Sequence, residues 1–108
     1  MELKTIQKPV DVFLLPDGTY LPVADVMETM DVLAMADLDD MGNRSVLEDA
    51  VPSVPFAEKL VTEGFLRKQL RMGGHHRYVI DDREALNAYH EQLFRQVMDY
   101  ESRKGERR

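Results

Sequence analysis

The sequence predicts a small α+β domain, and three observations carry that prediction. Apolar residues recur at helical spacing over Val23–Leu33, Phe56–Val61 and Leu86–Tyr100. Short β-favourable runs flank Pro16-Asp17-Gly18 near the start and Gly73-Gly74 further on, the pattern of two hairpins. The chain has 108 residues, 44% of them hydrophobic and 31% charged, enough for one packed core.

Taken in order, Val10–Leu15 reads as a strand. Pro16-Asp17-Gly18 supplies the turn, and Thr19-Tyr20-Leu21 returns as a second strand. From Pro22 the period becomes helical, with Val23, Val26, Met27, Met30 and Leu33 on one stripe to about Ala36. Asp37–Asn43 reads as a polar break, and Ser45–Ala50 as one short helical turn. Ser53 is a good N-cap, Pro55 fits a first turn, and Gly64 closes that helix. The runs Phe65–Arg71 and His76–Ile80 then form a hairpin around Gly73-Gly74. Asp81 and Glu84 read as a capping pair for a last helix with Leu86, Tyr89, Leu93, Val97 and Tyr100 on its apolar face. The charged end, Ser102–Arg108, is expected to fray. Helix, helix, hairpin and helix is the order of a winged helix-turn-helix with a long C-terminal helix. The expected divisions are an N-terminal strand extension at 1–20, the winged domain at 21–89 with an acidic insertion at 33–52, and a helix extension and tail at 90–108.

Charge is unevenly spread. The total is -6, yet Met1–Pro52 holds 3 basic and 11 acidic residues, against 11 and 9 over Ser53–Arg108. Ser53–Ile80 alone carries 5 basic and 2 acidic residues, and local charge sets the field a phosphate backbone feels. The absence of cysteine excludes disulfides, thiolate metal sites and cysteine nucleophiles. No apolar run approaches the ~18 residues of a membrane span, and Met1–Val10 lacks a signal-peptide apolar segment. The expectation is a cytoplasmic protein with no membrane partner.

One stretch is similar to a known family. Ser53-Val54-Pro55-Phe56-Ala57-Glu58-Lys59-Leu60-Val61-Thr62-Glu63-Gly64 resembles the second helix of excisionase-family DNA-binding domains, which opens S-R-P and ends in an acidic-Gly segment. Arg71-Met72-Gly73-Gly74-His75-His76-Arg77-Tyr78 resembles the wing of that family and of MerR-type regulators. Asp82–Tyr89 fits the helix after the wing, and Leu21–Val32 fits the first helix loosely. Val54 stands where the family has arginine, and Leu33–Pro52 intervenes where the family passes directly between helices. The resemblance implies a transcriptional regulator that binds double-stranded DNA and needs no cofactor. It also implies the antitoxin or phage-encoded role common in such proteins, in which a C-terminal helix or tail engages a protein partner.

On this reading Ser53, Val54, Glu58, Lys59 and Thr62 lie in or near the major groove. Arg67, Lys68, Arg71, His75, His76 and Arg77 lie along the backbone, where cations release counterions. Glu58 repels phosphate. Leu93, Val97 and Tyr100 extend beyond a winged helix's own core and are expected to form a homodimer or dock a toxin or host protein. The alternative is a degenerate winged helix that engages a basic partner protein through its acidic first half. The insertion carries Asp37, Asp39, Asp40, Glu48 and Asp49 against Arg44 alone; it either shields the second helix or is that partner surface.

Other motifs do not hold. Asp37, Asp39, Gly42, Ser45 and Glu48 fall in a calcium-loop frame that fails at Met41, where an oxygen ligand is needed. His75 and His76 are adjacent and diverge on a strand, which disfavours a shared metal. No nucleophile elbow, P-loop or HExxH run is present, so an enzyme is not expected.

Overall fold

In the computed structural model, which describes residues 1–5, 11–70 and 76–106, the chain opens with a three-stranded antiparallel sheet. β1 (Glu2–Thr5) pairs with β2 (Asp11–Leu14), and β2 pairs with β3 (Tyr20–Pro22) in the register Phe13 opposite Leu21. The β2–β3 turn is the one the residues require. Gly18 takes φ +89°, and Asp17 Oδ1 accepts from Thr19 N at 2.9 Å. β1 was not apparent in the sequence.

α1 (Val23–Ala34) buries Val26, Met30 and Leu33 as the periodicity requires, and Thr29 with them. The segment after it departs from expectation. Residues 33–52 do not form a loop with one helical turn. They supply β4 (Asp37–Leu38), β5 (Arg44–Leu47) and a single 3₁₀ turn at Glu48–Ala50. Ser45-Val46-Leu47 is a strand because it pairs with Val79-Tyr78-Arg77, a contact across more than thirty residues. Local propensity cannot report such pairing.

α2 (Val54–Thr62) starts and stops where its residues dictate. Ser53 Oγ accepts from Phe56 N at 3.3 Å, with Pro55 in the first turn. At the other end Gly64 adopts φ +88°. Its N–H reaches Val61 O, and Phe65 N reaches Leu60 O, closing the helix as a Schellman motif. β6 (Arg67–Gln69) and β7 (Arg77–Val79) follow as an antiparallel pair, and the second sheet has the order β4-β5-β7-β6. The Gly73-Gly74 turn lies outside the described residues.

α3 (Arg83–Glu106) is helical through Glu106, further than the charged tail suggested. Its cap is Asp82, whose Oδ1 accepts from Ala85 N at 3.0 Å. Asp81 is not the capping residue, because its carboxylate is taken by Arg67. One core joins both sheets. Phe13 and Leu21 from the first pack in the same cluster as Met30, Leu33, Phe56, Leu60, Tyr78, Leu86 and Leu93. The N-terminal strands are thus structural members of the core.

Candidate functional site

α2 is seated against α1 by one buried hydroxyl. Thr29, fully buried, donates to Asp25 O at 2.7 Å and accepts from Ser53 N at 3.0 Å. The N–H that precedes α2 would otherwise be orphaned in the core. β6 follows within a few residues of α2, so the helix and the β6–β7 pair are neighbours in the chain and in charge contacts.

Three cations of this region, Lys59, Arg67 and Lys68, meet carboxylates. Arg67 meets Asp81 through two bonds, Nε to Oδ2 at 2.9 Å and Nη2 to Oδ1 at 3.1 Å. That fork holds the Asp81 carboxyl below its usual range. Lys68 Nζ lies 2.9 Å from Glu58 and 3.6 Å from Glu48, and it sits 5.9 Å from the centre of the Tyr78 ring. Its hydrogen bond to Glu58 raises the ammonium's pKa. Lys59 pairs with Glu63 along α2. Arg77 Nε donates to Ser45 Oγ at 2.7 Å, and Ser45 in turn donates to Asp39 Oδ2 at 3.0 Å.

Two expected groove residues are not on the surface as read. Ser53 is buried and caps its helix, and Val54 is half-buried against the core. Glu58 and Lys59 are half-exposed, whereas Thr62 is exposed and donates to Glu58 O. His76 is half-buried, with its carbonyl accepting from Glu48 N. Arg71 and His75 lie outside the described residues.

The expected interface on α3 needs correction. Leu93 is a core residue at 2% exposure, and Val97 packs against the same cluster; Tyr100 is half-exposed. The N-terminal segment packs here: the Met1 carbonyl, just before β1, accepts from Gln96 Nε2 at 2.9 Å, and Leu3 of β1 joins the same cluster. The exposed apolar residues on this helix are instead Phe94 and Met98.

A second surface falls largely in the Leu33–Pro52 insertion, which the sequence presents as a shield or a partner surface by its charge and not by an apolar groove. The end of α1, β4, β5 and the 3₁₀ turn enclose a groove of about 400 Å³ whose lining includes Val32, Met35, Leu38, Leu47, Ala50 and Arg77. Met35 and Leu38 are 79% and 61% exposed, which is unusual for clustered large apolar side chains. Met35 falls off the buried α1 stripe, the signal that would have revealed it. The Asp39 turn also has a structural explanation. Asp39 Oδ1 accepts from Met41 N and Asn43 N, which fixes the β4–β5 connection.

Among the described residues no three His, Asp or Glu side chains are grouped to hold a metal ion, and no helix is long and apolar enough to cross a membrane. No protein-family model matches the chain, and no curated protein or solved structure matches it.

Proposed function

We propose that the chain is a winged helix-turn-helix domain that binds double-stranded DNA as a transcriptional regulator of excisionase or antitoxin type. The observation that carries this reading is the strand order β5-β7-β6 with α2 directly before β6. A strand from between the helices anchors β7. The β6–β7 pair is thereby fixed beside a capped helix, the combination that a groove-reading helix and a backbone-contacting wing require. Thr62 and Lys59 of α2 are the groove candidates, and Arg67, Lys68 and Arg77 the backbone candidates. The chemistry is association, with no catalytic step.

Phosphate must displace Asp81 from Arg67 and Glu58 from Lys68. Such exposed pairs are weak enough to exchange, so binding is expected to be modest and strongly salt-sensitive. Titration of random duplex DNA at 50 mM and 200 mM salt tests this, with three or four phosphate contacts giving a log–log slope of about -3. Arg67→Ala and Lys68→Ala should each reduce that slope by about 1. Absence of binding at 50 mM salt rejects the reading. A second copy of the chain belongs to the same proposal, and sedimentation of the native protein tests it.

A second reading, a degenerate winged helix that engages a partner protein, is favoured by one specific observation. Lys59, Arg67 and Lys68 each already have a carboxylate partner in the fold, and Val54 packs inward. A face so neutralised attracts phosphate weakly.

A further inference from the structure

We propose that Glu48 is an internal brake on DNA binding, a carboxylate that holds Lys68 back from the phosphate backbone. This role rests on the DNA-binding reading and adds a means of regulation to it. Its basis is a bridge across three strands. Lys68 of β6 stands opposite Tyr78 of β7, and its Nζ lies 5.9 Å from the centre of that ring. From there it reaches two carboxylates on different elements, Glu58 Oε1 of α2 at 2.9 Å and Glu48 Oε2 at 3.6 Å. Glu48 follows β5 directly, on the far side of β7, and its N–H donates to His76 O at 3.0 Å. The residues between the first two helices thus deliver one fixed negative charge to the root of the β6–β7 pair.

Of the two carboxylates, the nearer is the weaker restraint. Glu58 is 42% exposed, so water replaces Lys68 when the ammonium turns to a phosphate, and such pairs contribute little. Glu48 is different. Its Oε2 is cut off from solvent and, among the described residues, makes no hydrogen bond; the charge that faces it is Lys68. Moving that ammonium to DNA leaves a buried carboxylate oxygen with neither a cation nor water, which is far costlier than opening an exposed pair. The Tyr78 phenol cannot stand in for the ammonium, because burial and the two carboxylates keep it neutral. Binding through Lys68 is therefore opposed at one position, and anything that draws Glu48 away from the hairpin releases the cation.

Titration of a random duplex into the full chain at 50 mM salt reads the brake as a gain in affinity, which an unfolded variant cannot give. Glu48→Gln should bind about five-fold tighter than the wild type. Glu48→Ala should show a similar gain. Glu58→Gln should gain less than about two-fold, and so should Asp49→Asn, the exposed neighbour that feels the same long-range field. With Lys68→Ala already present, Glu48→Gln should add less than about two-fold. A gain that survives Lys68→Ala, or an equal gain from Asp49→Asn, makes the effect diffuse repulsion and overturns the brake. A larger gain from Glu58→Gln than from Glu48→Gln overturns it too, since burial would then not decide which carboxylate restrains Lys68. Binding by the wild type with no gain in either Glu48 variant sinks the brake alone and leaves the DNA reading intact. Absence of binding by wild type and variants alike rejects the DNA reading, and the brake with it.

Discussion

The α2–hairpin surface and the α1–β4–β5 surface are made from similar residue types but are left in opposite states by the fold. On the first, Lys59, Arg67 and Lys68 meet Glu63, Asp81 and Glu58, and Val54 is packed inward. On the second, Asp37 and Arg77 share the groove lining, Arg44 donates to Ala36 O, and Met35, Leu38 and Leu47 are exposed. Clustered charge in a sequence therefore says little until the partners are known. The run of cations over Ser53–Ile80 looked like the ligand-seeking part of the chain, yet much of its charge is answered internally. The acidic stretch looked like a shield for α2 or a charged partner surface, and it builds two strands and an apolar groove.

That contrast can be broken first at α3, where the effect should be largest. If Leu93 belongs to the shared core, Leu93→Ala should cost about 2–5 kcal/mol in urea unfolding. Phe94→Ala, one residue along and exposed, should stay within about 0.5 kcal/mol. Equal, small effects would return Leu93 to an interface and detach the N-terminal sheet from the helix.

The next effect concerns how α2 is held. Thr29→Val removes the acceptor for Ser53 N and strands a buried donor, which should cost about 1–3 kcal/mol, while Thr29→Ser should restore most of it. A neutral Thr29→Val would mean that packing alone seats the helix.

A smaller effect is expected at high pH. Burial pushes the Tyr89 phenol up to about 12, with its ring stacked on Phe65 at 4.8 Å. The folded state favours the neutral phenol. Its contribution is complete below pH 10 and is lost as pH rises from 10 towards 12. Tyr89→Phe should flatten that part of the stability profile, and an unchanged profile would place the loss elsewhere, for instance at Tyr78. The least stability change is expected at the groove, where the exposed Leu38→Ser should alter unfolding by less than about 0.5 kcal/mol.

Much of the fold could be read from residues whose meaning is local. Ser53, Pro55 and Gly64 delimit α2 by capping and φ, Asp17 and Gly18 mark the β2–β3 turn, and the stripe Val26-Met30-Leu33 defines α1. What escaped was set by distant partners. β5 is a strand because β7 lies beside it, and two-residue β4 is too short to show a period. Asp81 rather than Asp82 looked like the cap because sequence spacing cannot show that Arg67, fourteen residues away, claims it. The same limit applies to the sites. Lys59, Arg67 and Lys68 were legible as cations, but not their carboxylate partners. Leu93 looked surplus to a winged helix only because the N-terminal sheet it helps to bury was thought peripheral.

The most direct test of two unlike surfaces is an amide-shift titration of the full chain with a short random DNA duplex at 50 mM salt. The account predicts shifts over α2 and the β6–β7 strands that fade as salt is raised, with Val32–Leu38 unmoved. Shifts centred on the α1–β4–β5 groove, or none anywhere at that salt, would contradict it.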